Sequence, residues 1–243
     1  MLTRRDLVLK LSTATALIST VANSKMLAAP ITEHSRTWLK KTDELTAMLL
    51  GETISVSDWR TGLSQFNNHF HLEEMLKEID FERLKTEVEF ANLGVATAKI
   101  EFADDDVREL SFIPKLFAVG TGRAIIPHGH SNMVSAHLVA SGRFYLRQYD
   151  QVALDADSML VRPSFDDIVA TGDLSSIGKI EDNVHWFVAL EPSYTFDVIV
   201  TGLDAEANRN FDIYNLDIDA AEPDGAFLRV PRLNVQEALE KYG

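Results

Sequence analysis

Ile126-Pro127-His128-Gly129-His130-Ser131-Asn132-Met133-Val134-Ser135-Ala136-His137-Leu138-Val139-Ala140-Ser141-Gly142 decides how this chain is read. On extended backbone, side chains two residues apart leave the same face, so His128 and His130 can bring two imidazoles to one cation. A third ligand has to come from another strand. His185 supplies it in the strand-like run Asn183-Val184-His185-Trp186-Phe187-Val188. Three neutral imidazoles on one side of an ion leave its other positions for water, substrate or dioxygen. His137 shares the parity of Ser135 and so faces the same interior. Three roles stay open for it: a ligand in place of His185, an acid–base or hydrogen-bonding group beside the metal, or packing.

Outward from this stretch the pattern stays period-two with short apolar runs. Strands are expected at Thr97–Phe102, Glu109–Ile113, Leu116–Gly120, Ala124–Ile126, Val134–Ala140, Arg143–Tyr149, Ser158–Arg162, His185–Leu190 and Phe196–Val200. Turn residues separate them: Asp104-Asp105-Asp106, Ser141-Gly142, Asp155-Ala156-Asp157 and Thr171-Gly172-Asp173. Many short strands at even spacing predict a sandwich or small barrel. The acidic tail from Asp204 reads as mixed, with a short helix at Val235–Tyr242.

Residues 30–92 read instead as helical. Trp38, Leu39, Thr42, Leu45, Met48 and Leu49 recur at steps of three and four, with Gly51 as a stop. A second stripe, Leu72, Met75, Leu76, Ile79 and Leu84, predicts one helix from Leu72 to Val88, and Ser57-Asp58 reads as a cap before Trp59. His69-Phe70-His71 is a second histidine pair, but residues two apart on a helix point about 200° from each other and cannot share an ion. His34 carries no assignment.

Thr3-Arg4-Arg5-Asp6-Leu7-Val8-Leu9-Lys10, the apolar run Leu11 to Ala22 and the small residues after it have the order of an export signal. The arginine pair resembles the twin-arginine type, with Leu7 where Phe is commoner. Residues 1–29 are therefore expected as a leader, cut after Ser24 or Ala29, with residues 93–243 as the barrel and the periplasm as the destination. The run is too short and too polar to span a bilayer, and no second apolar segment reaches spanning length, so no stable membrane insertion is expected once the leader is gone. The chain of 243 residues carries a net charge of −14. Without residues 1–29, which hold four basic and one acidic side chain, the remainder stands at −17. Such a surface repels phosphate backbones, which argues against a nucleic-acid partner. There is no cysteine, so disulfides, thiolate metal sites and a cysteine nucleophile are excluded.

The histidine stretch resembles the first motif of the cupin superfamily: a His-x-His pair, an acidic position, then a turn ending in Gly. The spacing from His130 to Gly142 matches, while Ser135 occupies the acidic position. Within that superfamily the chain is most similar to thiol dioxygenases of the cysteamine dioxygenase and plant cysteine oxidase type. The matching residues are Ile126-Pro127, His128, His130, Met133, Gly142, Tyr149-Asp150, then Asn183, His185, Phe187, Ala189 and Asp197-Val198. The second cupin motif departs from the pattern, with Ile180 and Asp182 where Pro and Gly are usual.

The resemblance implies an all-β cupin barrel, a double-stranded β-helix or jelly roll, behind an N-terminal helical segment. It implies three histidines and no carboxylate on Fe(II), another divalent metal being open, with a small substrate and dioxygen as partners. His128, His130 and His185 would hold the metal; His137 and Ser135 would serve catalysis. Cupins often pair, so a homodimer fits the resemblance. Two alternatives stand beside the oxygenase: a lyase, isomerase or hydrolase using Zn, Mn or Ni, and an exported barrel that binds a ligand without turnover. Arg123 and Arg162 are candidate anchors for a substrate carboxylate, whereas Arg143 and Arg147 are expected outside, with Phe144 and Leu146 buried. Tyr149 and Tyr214 are candidate phenols near the metal.

Overall fold

The computed structural model describes residues 25–104, 107 and 109–243; the leader-like pattern of residues 1–24 lies outside them. After strand β1 (Lys25–Ala29) come helices α1 (Glu33–Leu50), α2 (Val56–Asn68), α3 (Leu72–Glu78) and α4 (Phe81–Glu87). The expected helix from Leu72 to Val88 is two helices. Asp80 adopts the left-handed conformation (φ 55°) and turns the chain between them. The α2 cap also lies earlier than expected, at Ser55. Its hydroxyl accepts from the Asp58 N–H at 3.1 Å, while the Asp58 carboxylate accepts from the Ser55 N–H at 3.0 Å. This reciprocal box satisfies two donors that a helix start otherwise leaves open.

The strands that follow are β2 (Ala96–Phe102), β3 (Ile113–Val119), β4 (Ala124–Ser131), β5 (Met133–Ser141), β6 (Arg143–Leu154), β7 (Ser158–Ala170) and β8 (Leu174–Ile177). Then come β9 (Val184–Ala189), β10 (Ser193–Thr201), β11 (Asp212–Leu216), β12 (Glu222–Asp224), β13 (Phe227–Leu233) and helix α5 (Val235–Tyr242). Glu109 and Leu110 belong to no strand, and the expected strand there begins only at Ile113. Five strands unread in the sequence, β1, β8 and β11 to β13, complete the sheets.

One sheet runs β1-β2-β3-β10-β5-β8 and the other β11-β4-β9-β6-β7-β13-β12. From β3 to β11 the chain changes sheet at every step except the β6–β7 hairpin. That strand order is a double-stranded β-helix, the cupin fold. Gly142 (φ 86°) makes the crossing from β5 to β6, where a Cβ would lie 2.2 Å from the Ser193 hydroxyl.

The first sheet is covered on both faces. Val134, Ala136 and Leu138 of β5, with Leu116 and Ala118 of β3 and Phe196 and Val198 of β10, pack outward against Trp38, Trp59, Leu63 and Leu84 of the helices. The alternate residues of the same strands, Ser135, His137, Lys115 and Asp197, line the barrel interior. The helices are thus the outer layer that leaves the inner face free for polar groups. Strand β1 pairs in parallel with β2, burying Leu27 and Ala29, so residues 25–29 of the expected leader are part of this sheet. Among the described residues no helix is long and apolar enough to cross a membrane.

Candidate metal centre and its relay

A register irregularity aims the histidines of β4 inward. Ile125 lies opposite Phe187 of β9, but His128 lies opposite His185, so three steps on β4 match two on β9. Ile125 and Phe187 share one apolar cluster in the barrel. Strict alternation from Ile125 would point residues 127 and 129 inward, and the extra residue at Ile126-Pro127 reverses this. His128 and His130 therefore share the interior with His185.

The three rings meet edge to face, their centroids 4.5 to 5.1 Å apart. Nε2 of His185 lies 3.1 Å from Nε2 of His128 and 3.4 Å from Nε2 of His130. A tetrahedral ion with metal–nitrogen bonds of about 2.0–2.1 Å separates its ligands by about 3.3–3.4 Å, and right angles at that length give about 2.9 Å. Both separations from His185 fall within the range these two geometries span.

The far nitrogens of His128 and His130 support the same use, while Nδ1 of His185 has no hydrogen-bond partner. His128 Nδ1 donates to the Ile126 carbonyl at 2.7 Å, and His130 Nδ1 to the Met133 sulfur at 3.1 Å. A proton on Nδ1 leaves Nε2 as a lone pair, the form a metal requires. Burial opposes protonation as well. Desolvation, with the neighbouring His137, pushes His128 down to about 4. Desolvation and then the other histidines hold His130 and His185 well below the ordinary imidazole range. The donor set is neutral at physiological pH and suits a borderline divalent cation such as Zn, Fe, Ni or Cu.

Asn183 fixes the backbone under the ligands. Its Oδ1 accepts from the His130 N–H at 3.0 Å, and its Nδ2 donates to the His130 carbonyl at 3.0 Å and to the Gly178 carbonyl at 3.1 Å. Gly129 permits this approach: a Cβ there would stand 3.0 Å from Asn183 Oδ1 and 3.1 Å from Met159 and Val184.

His137 stands apart from the ligand set. Its ring packs 4.8 Å from that of His185, but both of its nitrogens are engaged elsewhere. Nδ1 lies 2.7 Å from the Asp197 carboxylate and Nε2 lies 2.9 Å from the Ser135 hydroxyl. A carboxylate accepts only, so a proton sits on Nδ1, and in the neutral ring Nε2 accepts from Ser135. Of the three roles open in the sequence, the geometry supports the hydrogen-bonding one. Asp197 lies opposite His137 on one side and Lys115 on the other, so His137, Asp197 and Lys115 form one rung across three strands. Lys115 is almost wholly buried, and desolvation, partly offset by Asp197, lowers its ammonium to about 8.

The cavity between the sheets encloses about 190 Å³. Phe144, Leu146 and Phe187 plug the barrel below the histidines. Val235 and Leu239 of α5, with Leu93, Phe211 and Ile213, are among its apolar walls. The Arg123 guanidinium donates to the carbonyl of Gly243 just beyond α5, and Arg162 pairs with Asp150 at 2.7 Å; neither lines the cavity. Arg143 is exposed against Glu191, and Arg147 stacks on Tyr145 and Trp186. Tyr149 lies in a separate apolar cluster, and Tyr214 bonds the Ser131 hydroxyl, so neither phenol reaches the centre. His69 ends α2 and His71 precedes α3, and neither belongs to a ligand cluster. Lys115 received no role from the sequence, and Asp197 entered only as part of the resemblance. The available signal was a lone charge inside an apolar strand, in Ile113-Pro114-Lys115-Leu116-Phe117 and Phe196-Asp197-Val198-Ile199.

No protein-family model matches this chain, and no curated protein matches it. Among solved structures it is similar to an uncharacterized conserved protein with a double-stranded β-helix domain from Klebsiella pneumoniae subsp. pneumoniae MGH 78578. The identity is 16%, over 54% of this chain and 92% of that one, with a TM-score of 0.36. It is also similar to KdgF from Halomonas sp. (17% identity, 47% of this chain, 86% of that one, TM-score 0.32). A cupin superfamily protein from Desulfitobacterium hafniense DCB-2 gives 11% identity over 48% of this chain and 85% of that one, with a TM-score of 0.32. The chain's own strand order carries the fold: a cupin barrel with three buried histidines converging inside it.

Proposed function

We propose that the protein is a metal-dependent cupin oxygenase acting on a small substrate, with Fe(II) as its metal and a thiol among the candidate substrates. One observation carries this reading: three buried imidazoles bring their Nε2 atoms together inside a barrel, with no carboxylate among them. His128, His130 and His185 would hold the ion. When bound, it supplies a Lewis-acidic and, for iron, redox-active template with open positions.

The chain's own groups do the rest. The Ser135 hydroxyl, held by His137, presents its oxygen to the cavity and passes a substrate proton to His137 Nε2. Asp197 keeps His137 in the accepting tautomer and stabilises the imidazolium that results. The Phe144 and Phe187 plug and α5 exclude bulk water from the site.

The same relay favours a second reading, a lyase or isomerase in which proton transfer is the reaction and Zn, Mn or Ni the metal. Metal analysis of protein from its own host separates the two, with iron at about one per chain expected for the oxygenase. His128→Ala and His185→Ala are each expected to lose the metal. Oxygen uptake with the iron-loaded protein across a panel of thiols and small acids then tests the reaction. Absence of uptake at full iron occupancy would sink the oxygenase and leave the proton-transfer reading.

A further inference from the structure

Lys115 has no part in that mechanism, yet among the described residues it is the one ammonium lining a cavity whose other walls, apart from the histidine centre and its relay, are largely apolar. Burying a lysine is costly unless its charge is used or compensated. Asp197, opposite it on β10, carries the compensating charge, and that carboxylate also serves His137 through Oδ2. Its other oxygen, Oδ1, makes no hydrogen bond. The Lys115 ammonium lies 5.9 Å from the centre of the Phe117 ring, a second cavity-lining side chain.

The charges then determine what can share this space. The three ligand imidazoles are neutral, so they bring no charge to an ion they hold. Lys115 and Asp197 cancel each other. A divalent ion would therefore leave the enclosed cavity at about +2, and a ligand bearing negative charge restores neutrality. The volume sets the size. A cavity of about 150 Å³ holds benzene, so about 190 Å³ accepts one ring with a short headgroup, or eight to ten non-hydrogen atoms.

We propose that the substrate is a small organic anion with an apolar body, its carboxylate or comparable oxyanion held by Lys115 and its apolar part against Phe117, Ile199 and the residues of α5. This rests on the reading of the three histidines as a metal centre and narrows it. Aminothiols, which carry a cation, are poor substrates on this account.

Benzoate, benzamide and benzylamine share one shape and differ in headgroup charge, which makes them suitable probes for calorimetric titration of the metal-loaded protein. Benzoate is expected to bind at least tenfold more tightly than benzamide, and benzylamine not at all. Lys115→Met should weaken benzoate by tenfold or more and leave benzamide within about threefold. Asp197→Asn should shift benzoate the other way, toward tighter binding, an effect that damaged folding cannot imitate. Equal affinity of wild type and Lys115→Met for benzoate, or benzylamine binding as well as benzoate, overturns the proposal. So does weaker benzoate binding by Asp197→Asn. The metal reading is scored separately, by metal content. If the chain takes up no metal but benzoate binding still depends on Lys115, the metal centre fails and the anion site stands. If metal binds and the Lys115 dependence is absent, the reverse holds.

Discussion

Replacing Asn183 by Ala tests whether the ligand strand is held from behind by one amide. The ladder between β4 and β9 is last in register at His128 and His185, so the Asn183 side chain continues it one step further at His130. Truncation strands the His130 N–H, the His130 carbonyl and the Gly178 carbonyl, all bonded to Asn183 at 3.0 to 3.1 Å. A buried polar group left without a partner costs about 1–3 kcal/mol, so three of them give on the order of 3–6 kcal/mol after local relaxation. Domains of this kind hold about 5–15 kcal/mol in total. The urea midpoint of the metal-free variant should therefore fall steeply. Metal affinity should fall with it, by about 10–100-fold, because the clamp positions a ligand without touching the ion. Asn183→Asp keeps the acceptor and loses both donors, and should reproduce most of the defect. Denaturation and a competitive chelator titration at pH 7.5 read both quantities. A midpoint shift worth less than about 0.5 kcal/mol, or lost stability with unchanged metal affinity, would refute the clamp.

Two further outcomes follow from the same structure. The metal-free protein should lose stability in mild acid. Burial holds the three ligand histidines below the unfolded value of about 6.5, with His128 at about 4, so below pH 6.5 the unfolded chain takes up protons that the folded chain refuses. Stability is then present above pH 6.5 and falls toward pH 4 by about 1.4 kcal/mol per pH unit for each imidazole kept neutral. A urea midpoint identical at pH 7.5 and pH 5.5 would contradict this. The leader, if removed, should be cut after Ser24 and not after Ala29. Residues Lys25–Ala29 form a strand on β2, with Leu27 and Ala29 buried and the Ala28 carbonyl bonded by Arg83 at 2.6 Å. Burial of Leu27 alone contributes about 1.5–3 kcal/mol. Amino-terminal sequencing of a chain that has lost its leader should begin at Lys25, and a start at Pro30 would be the contrary result.

Much of the barrel was legible because its central strands alternate. The run from Val134 to Ala140 puts one parity against the helices and the other into the cavity, so period two survives although both faces are buried. His128, His130 and His185 were legible for the same reason, though for β4 the reasoning was incomplete. Parity within His-x-His says that the two rings agree, not which way they face, and the bulge at Ile126-Pro127 settles that. Pro127 directly before His128 marked the irregular place. Strands β11 to β13 were hidden because their outer residues are polar and charged, as in Glu222-Pro223-Asp224, which reads as a turn. The break at Asp80 was hidden because α3 and α4 keep one apolar stripe across it: Met75, Ile79 and Leu84 all reach the same core.

The two sheets divide the chemistry between them. The three converging imidazoles come from β4 and β9 of one sheet, and the relay and the ammonium come from β5, β10 and β3 of the other. A double-stranded β-helix alternates sheets along the chain, so neighbours in sequence such as His130 and His137 face each other across the cavity instead of lying side by side. This separation gives the two sets opposite electrostatic tasks. The ligand side must be neutral and dry so that three lone pairs can converge. The facing side can carry charge because Asp197 and Lys115 lie on adjacent strands and compensate each other within one rung. Moving either charge to the ligand sheet would place it beside the imidazoles, where a carboxylate would compete for the ion and an ammonium would repel it. The helices make the arrangement possible: Trp38, Trp59 and Leu63 cover the outer face of the charged sheet, so its stability comes from the apolar layer behind it and its inner face is left to polar groups.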